Sequence, residues 1–353
     1  MRVAVNGFGR IGKMVLRALC KRNLLDSGID IVAVADYAND ADYYAYQLKY
    51  DSVHQRFAAA VSTEKSSANA AHNDILVVDG KKIKTIPAME DPSTLPWKKM
   101  EIEIVVDTTG RFTTFTKASG HIAAGAQRVV LTNMPEDDDT KIVIMGVNDG
   151  DYDPARQRIV SNGNCTANCV IPLMYALKNE GIEIEKGHLT VLLPYTASRK
   201  IVDGYSARSW RDGRSAAINI IPSSVNAAQA IGRVFPEMQG KVNDVVFRVP
   251  VAEVSLIDFS FLAKHDTSMG AVDKALKKAS ETYLEGILGS VAEEIVSSDV
   301  IGDTRSSVYD SLLTLNNNIN AERRFFRIFA WYDNEWGYAN RVVDLLLKMK
   351  KTA

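Results

Sequence analysis

The residue whose type and placement point most directly to chemistry is Cys165, in the run Ser161-Asn-Gly-Asn-Cys-Thr-Ala-Asn-Cys169. A strand-like segment, Arg158-Ile-Val160, precedes it, and residues 170–177 read as helix, so the thiol falls at a strand-to-helix junction. There the positive end of the helix and its free backbone donors would lower the thiol's pKa and favour a nucleophilic thiolate. The competing reading is an inert buried cysteine, the commoner fate of a free thiol, and spacing alone does not choose between them. Cys169, one helical turn on, reads as packing. Pro172 sits oddly in the same helix and costs a backbone hydrogen bond unless it stays within the first turns.

A second constellation lies at the start of the chain. Residues 3–5 are apolar and stop at Asn6-Gly7, after which Ile11, Met14, Val15, Ala18 and Leu19 recur at helical spacing. A second apolar run over residues 29–35 ends at Asp36, which completes the strand, helix, strand order of a parallel sheet unit. Gly7, Gly9 and Gly12 occupy its first turn: one for the sharp bend, one for close approach of backbone to a pyrophosphate, one for close helix packing. Asp36 can accept hydrogen bonds from a ribose 2′-hydroxyl but would repel a 2′-phosphate, which favours NAD over NADP. The alternative is a glycine-rich turn with no ligand, against which the context of strand, helix, strand and terminal acid is met in full. Tyr37 beside it reads equally as an adenine contact or a half-buried strand end.

The elements that position these groups repeat the same alternation. Strands expected over residues 104–107, 129–131 and 142–145 extend the doubly wound pattern to about Asn148. At 353 residues and roughly 150 per domain, two domains are expected. Apolar residues make up 46% and charged residues 24%, an ordinary globular mixture. The 42 Lys+Arg nearly cancel the 43 Asp+Glu, so nothing draws the whole chain to nucleic acid or an anionic membrane, and any anion site must be local. No apolar stretch approaches the roughly 20 residues that cross a bilayer, and the start runs directly into the glycine motif, so a cytoplasmic protein is expected. Cys20, Cys165 and Cys169 make no disulfide framework and lack the second ligand pair of a zinc site, so no metal is expected. The acidic run 136–139 and the small polar run 66–72 read as solvated loops.

The motifs Asn6-Gly-Phe-Gly-Arg-Ile-Gly12, Ser161-Asn through Cys169, Trp210-Arg-Asp-Gly-Arg214, Phe247-Arg-Val-Pro250 and Trp331-Tyr-Asp-Asn-Glu-Trp-Gly-Tyr338 resemble, in order and spacing, those of the glyceraldehyde-3-phosphate dehydrogenase family, of which erythrose-4-phosphate dehydrogenases are close relatives. The resemblance implies an α/β fold. A Rossmann doubly wound parallel sheet would form the NAD-binding domain (1–164), completed by a C-terminal helix (334–353). An α+β catalytic domain with a mixed sheet would follow (165–333). It implies a homotetramer, a small phosphorylated aldehyde as substrate, and neither nucleic acid nor membrane as partner. In the C-terminal helix Val342, Leu345, Leu346 and Met349 share one face.

By the same resemblance Cys165 is the nucleophile, which forms a hemithioacetal and then, after hydride transfer, a thioester released by inorganic phosphate. The cofactor residues would be Gly7, Gly9, Arg10, Ile11, Gly12, Asp36, Thr109, Gly110, Asn334 and Tyr338. Thr166, Thr196, Arg248 and Arg214 would hold the substrate phosphate, with Arg211 adding charge. The chain departs from the pattern where it matters: Leu193 stands at the position of the family's base histidine, and none of the five histidines is a clear substitute. Asn164, Val225, Asn226 and Val251 replace Ser, Thr, Gly and Thr around the attacking phosphate. A general base contributes typically 10²–10⁴-fold, so the expectation is a slow or altered dehydrogenase. The alternative is a weak or inactive NAD-binding paralogue with a regulatory or scaffold role.

Overall fold

The computed structural model describes residues 1–25, 28–37, 40–207, 209–316, 318 and 322–352. It divides into two compact units: residues 1–143, 151–163 and 339–353, and residues 144–150 and 164–338.

The first unit opens with β1 (Arg2–Asn6), α1 (Arg10–Lys21), β2 (Asp30–Asp36) and α2 (Ala41–Lys49). It continues through β3 (Val61–Glu64), β4 (Ile75–Val78), β5 (Lys81–Pro87), β6 (Ile104–Asp107), α3 (Phe115–Ala123), β7 (Arg128–Leu131), β8 (Lys141–Ile142) and β9 (Ile159–Ser161). Among the described residues these strands form one sheet in the order β3-β4-β5-β2-β1-β6-β7-β9-β8, parallel from β5 to β8. The strand order reverses at β1, and the ends of β1 and β6 form the switch point where open α/β sheets take their ligands. Helix α1 buries Met14, Val15, Ala18 and Leu19, the face its spacing predicts. Each large side chain so buried stabilises the unit by about 1.5–3 kcal/mol.

Two parts of this unit differ from the sequence reading. The expected strand at 142–145 is only Lys141–Ile142. The Ile144 N–H donates to Asn148 Oδ1 at 2.7 Å instead of to a neighbouring strand, and the chain turns at Gly146 with φ +79°. The antiparallel pair β4–β5 was not foreseen, although its turn is Asp79-Gly80 with φ of +46° and +79°, the strongest short hairpin signal.

The second unit begins at α4 (Cys165–Asn179) and β10 (Ile184–Pro194), then β11 (Ile221–Ser223), α5 (Ala227–Val234), β12 (Val242–Val249) and β13 (Ser255–Ala263). It closes through α6 (Met269–Glu281), β14 (Leu288–Val291), β15 (Ser307–Asn316) and β16 (Phe325–Tyr332). The sheet order is β11-β12-β10-β13-β16-β15-β14, with β10 parallel to β12 and antiparallel to β13, so the sheet is mixed as expected. Strict alternation of buried and half-buried residues along β13 and β16 gives one packed face. Phe259, Phe261 and Phe326 pack there with ring centroids 5.6 Å apart in each successive pair. Pro172 lies well inside α4, which therefore goes without the hydrogen bond to the Asn168 carbonyl.

Helix α7 (Trp336–Lys351) belongs to the first unit from Ala339 onward, and Val342, Leu345, Leu346 and Met349 are all fully buried. Arg128 anchors it by donating from Nη1 to the Met349 carbonyl at 3.0 Å, and Arg22 pairs with Asp344 at 2.8 Å.

Candidate active site

At the switch point of the first sheet the glycines behave as close-packed backbone. Gly7 has φ +95°, and a Cβ there would meet Thr108 Oγ1 and Thr109 N at 2.9 Å. A Cβ on Gly12 would come within 2.3 Å of the Gly7 carbonyl, so the start of α1 can approach β1 only without a side chain. Gly9, the N-cap of α1, has open space where a Cβ would be and no side-chain cap. A helix N-terminus left open in this way suits an anionic pyrophosphate. Asp36 Oδ2 accepts from the Phe8 N–H and its Oδ1 from the Tyr37 N–H, each at 2.6 Å, which ties the end of β2 to the glycine turn. Arg10 pairs with Asp51, whose carboxylate also accepts from the backbone of Val53 and His54 at 2.9 Å.

The end of β6 is organised by a buried polar group that sequence reasoning missed. Asp107 accepts from Asn6 Nδ2 at 2.7 Å, from Thr109 Oγ1 at 2.7 Å and from the Thr109 N–H at 3.1 Å. His121 Nε2 lies 3.2 Å from the same carboxylate, while its Nδ1 accepts from Trp97 Nε1 at 3.0 Å. Indole is a donor only, so the imidazole proton resides on Nε2. Gly110, next in line, has φ +65°. Tyr37 is exposed with the Arg111 guanidinium 5.2 Å from its ring centre, so it is not the half-buried strand end considered above.

In the second unit Cys165 is the first residue of α4, half-buried, with Asn164 as N-cap. Asn164 faces two ways: its Oδ1 accepts from the Ala167 N–H at 2.8 Å and its Nδ2 donates to the Val225 carbonyl at 2.7 Å. The cap thus uses one of the backbone donors that would otherwise favour a thiolate. The protein packed around the sulfur pushes the thiol up to about 11, burial being the main cause; the Arg248 charge and hydrogen bonds at Thr166 pull it down, and Glu253 adds to the rise. The expectation of a lowered pKa is therefore reversed, because loss of water around the sulfur outweighs the helix terminus. Cys169 is buried, donates toward Ser307 Oγ at 3.4 Å, and is pushed up further by burial.

Thr166 is fully buried and its hydroxyl is 2.8 Å from Tyr332 Oη at the end of β16. Ser255, paired with Tyr332 in the sheet, donates to Asn334 Oδ1 at 2.9 Å. Tyr338 is buried. Arg248 on β12 is the register partner of Leu193 and donates from Nη1 to the Pro194 carbonyl at 3.0 Å. Thr196 and Arg214 lie on the exposed stretch beyond β10; Thr196 Oγ1 is 3.0 Å from Ser198 Oγ, and Arg214 Nε donates to Asp203 at 2.9 Å. The same stretch is fastened by a half-buried Arg199–Asp212 ion pair, with Arg199 also donating to Ser223 Oγ at 3.1 Å, a pair no local sequence pattern announces.

Leu193 is buried on the face that also carries Leu189 and Val191. His188, five residues back, lies on the opposite face of β10 and is exposed, and five residues of strand span about 17 Å. His265, the other histidine of this unit, is exposed beyond β13. Asn226 adopts φ +55°, a left-handed conformation that asparagine tolerates better than most residues and that glycine adopts freely.

The family model for the glyceraldehyde 3-phosphate dehydrogenase NAD binding domain matches residues 1–115, and that for the C-terminal domain matches residues 164–334. The chain belongs to the glyceraldehyde-3-phosphate dehydrogenase family. It is 49% identical over 346 residues to the glycosomal enzyme of Crithidia fasciculata, covering 98% of this chain and 96% of the relative. It is 47% identical over 351 residues to the enzyme of Treponema pallidum (strain Nichols), covering 98% of each. A chloroplastic member from Arabidopsis thaliana is 42% identical over 352 residues, spanning all of this chain and 79% of the relative. NAD is the cofactor and the chain is an NAD-dependent oxidoreductase, and the glycine turn with its fixed Asp36 carboxylate fits that dinucleotide. Among the described residues no helix is long and apolar enough to cross a membrane.

Proposed function

We propose that this protein oxidises a phosphorylated aldehyde of the glyceraldehyde-3-phosphate kind through a thioester on Cys165, with slow or altered release of the acyl group. The observation that carries the reading is Cys165 at the start of α4, half-buried and under the charge of Arg248. The names of the relatives at 49% and 47% identity support the substrate class. NAD, when bound, supplies the hydride acceptor. Gly7, Gly9, Arg10, Ile11, Gly12, Asp36, Thr109 and Gly110 would hold it, and Asn334 and Tyr338 are assigned to its carboxamide. Arg248 and Thr196 would hold the substrate phosphate with Arg214 and Thr166, whose hydroxyl also bonds Tyr332.

Slowness is expected because burial raises the Cys165 thiol while Leu193 stands where a base would take its proton, so the attacking thiolate is scarce at neutral pH. Incubation with glyceraldehyde 3-phosphate and NAD is expected to give at least one equivalent of NADH and an acyl adduct on Cys165 by mass spectrometry. If neither forms, the reading fails and the cofactor-binding paralogue takes its place.

We also propose a homotetramer. Ile201, Val202, Tyr205, Trp210, Ile218 and Ile220 are 66–93% exposed on one connecting stretch, apolar surface that a monomer rarely leaves in water. Light scattering after gel filtration tests it, a monomer being the refuting result. The three unpaired cysteines support a reducing compartment, for which we propose the cytoplasm.

A further inference from the structure

The strand end that lacks a histidine is crossed by a buried carboxylate. Because β10 lies between β12 and β13, parallel to one and antiparallel to the other, the connection 250–254 must arch over the end of β10 at Leu193 and Pro194. Glu253 sits on that arch and is 4% exposed. The arch is held in an uncommon shape: Val254 has φ +69°, which costs a β-branched residue on the order of 1–3 kcal/mol. Packing of Val254 with Val300 and Val308 on one side, and the Ser255 bonds to β16 and Asn334 on the other, hold it there.

The same sheet end carries the nucleophile. Tyr332 closes β16, and its hydroxyl reaches Thr166, the residue after Cys165, at 2.8 Å. The Glu253 charge acts on the Cys165 sulfur, opposing its ionisation, while Arg248 favours it. Among the described residues of this unit, the groups that act electrostatically with the sulfur include Arg248 from β12, Tyr332 from β16, Cys169 one turn along α4, and Glu253 from the arch. A Glu335 carboxylate oxygen lies within 4.8 Å of one on Glu253.

We propose that Glu253 is the proton acceptor for Cys165, standing in for the base whose position Leu193 fills. The proposal rests on the dehydrogenase reading above. The carboxylate takes the S–H proton as sulfur bonds to the aldehyde carbon; the carbonyl π pair moves to oxygen, which takes that proton back from the Glu253 acid. In the oxidation Glu253 would take the hydroxyl proton as the C=O of the thioester forms, and NAD, when bound, would supply the acceptor for the C–H hydride. A carboxylate beside a neutral thiol replaces the usual imidazolium beside a thiolate.

Two measurements on the full-length protein separate this role from a structural one. The first is the pH profile of Cys165 alkylation by iodoacetamide, read by peptide mass without aldehyde. The second is NADH formation with glyceraldehyde 3-phosphate. In E253Q, close to isosteric, the alkylation profile is expected to move to lower pH because an opposing charge is gone. Turnover is nonetheless expected to fall about 10²-fold or more, with E253D recovering part of it. A mere spectator charge predicts the reverse, since a more acidic thiol would speed attack. Turnover in E253Q equal to or above that of the unaltered chain, or an unmoved alkylation profile, overturns the proposal. No aldehyde-dependent NADH from the unaltered chain, with the alkylation shift present, sinks the dehydrogenase reading and the catalytic part of this one with it.

Discussion

The Asp36 carboxylate offers a sharp test of how the first unit reads its cofactor. It holds two backbone donors, the Phe8 and Tyr37 N–H groups at 2.6 Å, so it is fixed in place before any ligand arrives. Asp36→Ala removes the acceptor expected to bond the adenosine ribose. A hydrogen bond to a charged group is worth about 1.5–3 kcal/mol, so two of them lost weaken NAD by roughly 10²-fold or more. It also removes a repulsion: a carboxylate and a phosphate charge about 4 Å apart repel by ~4 kcal/mol at an effective dielectric of 20. Freeing the Phe8 N–H loosens the glycine turn for both dinucleotides alike and cancels in their ratio. The ratio of NADP to NAD dissociation constants, measured by calorimetry on both proteins, is therefore expected to fall by at least about 10³-fold. A ratio within threefold of the unaltered protein's would refute the role given to Asp36, whatever happened to the separate affinities.

Leu193→His is expected to lower the pH at which Cys165 alkylates and to restore up to about 10² of the turnover lost in E253Q; it should also cost about 2 kcal/mol of stability, a buried leucine giving way to a polar ring beside Arg248. Faster alkylation without faster turnover would show that proton transfer is not what limits the reaction. Asn164→Ala removes both the cap of α4 and the bond to the Val225 carbonyl, and a loss of about 2 kcal/mol is expected in urea denaturation; an unchanged midpoint would refute the structural role of that side chain. Burial alone would raise Asp51, but hydrogen bonds from His54 N, the Arg10 side chain and Val53 N outweigh it and hold the carboxyl at about 2. Its folded value lies below the ordinary 3.8, so the stability it contributes is present above pH ~4 and is lost as pH falls toward 2. Allowing for solvent screening of Arg10, that is about 1–2 kcal/mol, and Asp51→Asn should flatten the acid limb of the stability profile by that amount.

What the sequence announced was local and periodic. The glycine turn, the buried face of α1 and the buried face of α7 each lie within one element or one strand, helix, strand unit, so spacing is enough to find them. The Asp79-Gly80 hairpin carried an equally local signal and should have been read. The missed parts depend on neighbours far along the chain. Asp107 becomes an organising group only when Asn6 and His121 are folded against it. The pKa of Cys165 reversed direction because sequence shows a helix start but not what packs around the sulfur. Glu253 is a single acid in a five-residue connection, with no pattern of its own, and its meaning comes from strand order: had β13 not been the far neighbour of β10, the connection would never cross the end where Leu193 lies.

A hydrogen bond also links departures that look independent along the chain. Asn164 is at once the cap that consumes a donor near Cys165 and the side chain that fastens the Val225 carbonyl. Asn226 holds the left-handed turn that starts α5. A hydroxyl at position 225 and an uncapped helix terminus at 164 would together offer an incoming anion two donors; here one position is valine and the other is satisfied internally. On the reading proposed above, the proton-handling group on the arch and the anion-handling groups at 164 and 225, which the Asn164–Val225 bond joins, have both changed. A site so changed would keep acyl formation, which needs the thiol and an acceptor for its proton, and would lose preference for inorganic phosphate in the step that follows. The rate of acyl-Cys165 decay, measured with and without phosphate, should then differ by less than about threefold; strong acceleration by phosphate would show that the anion is held by groups other than those at 164, 225 and 226.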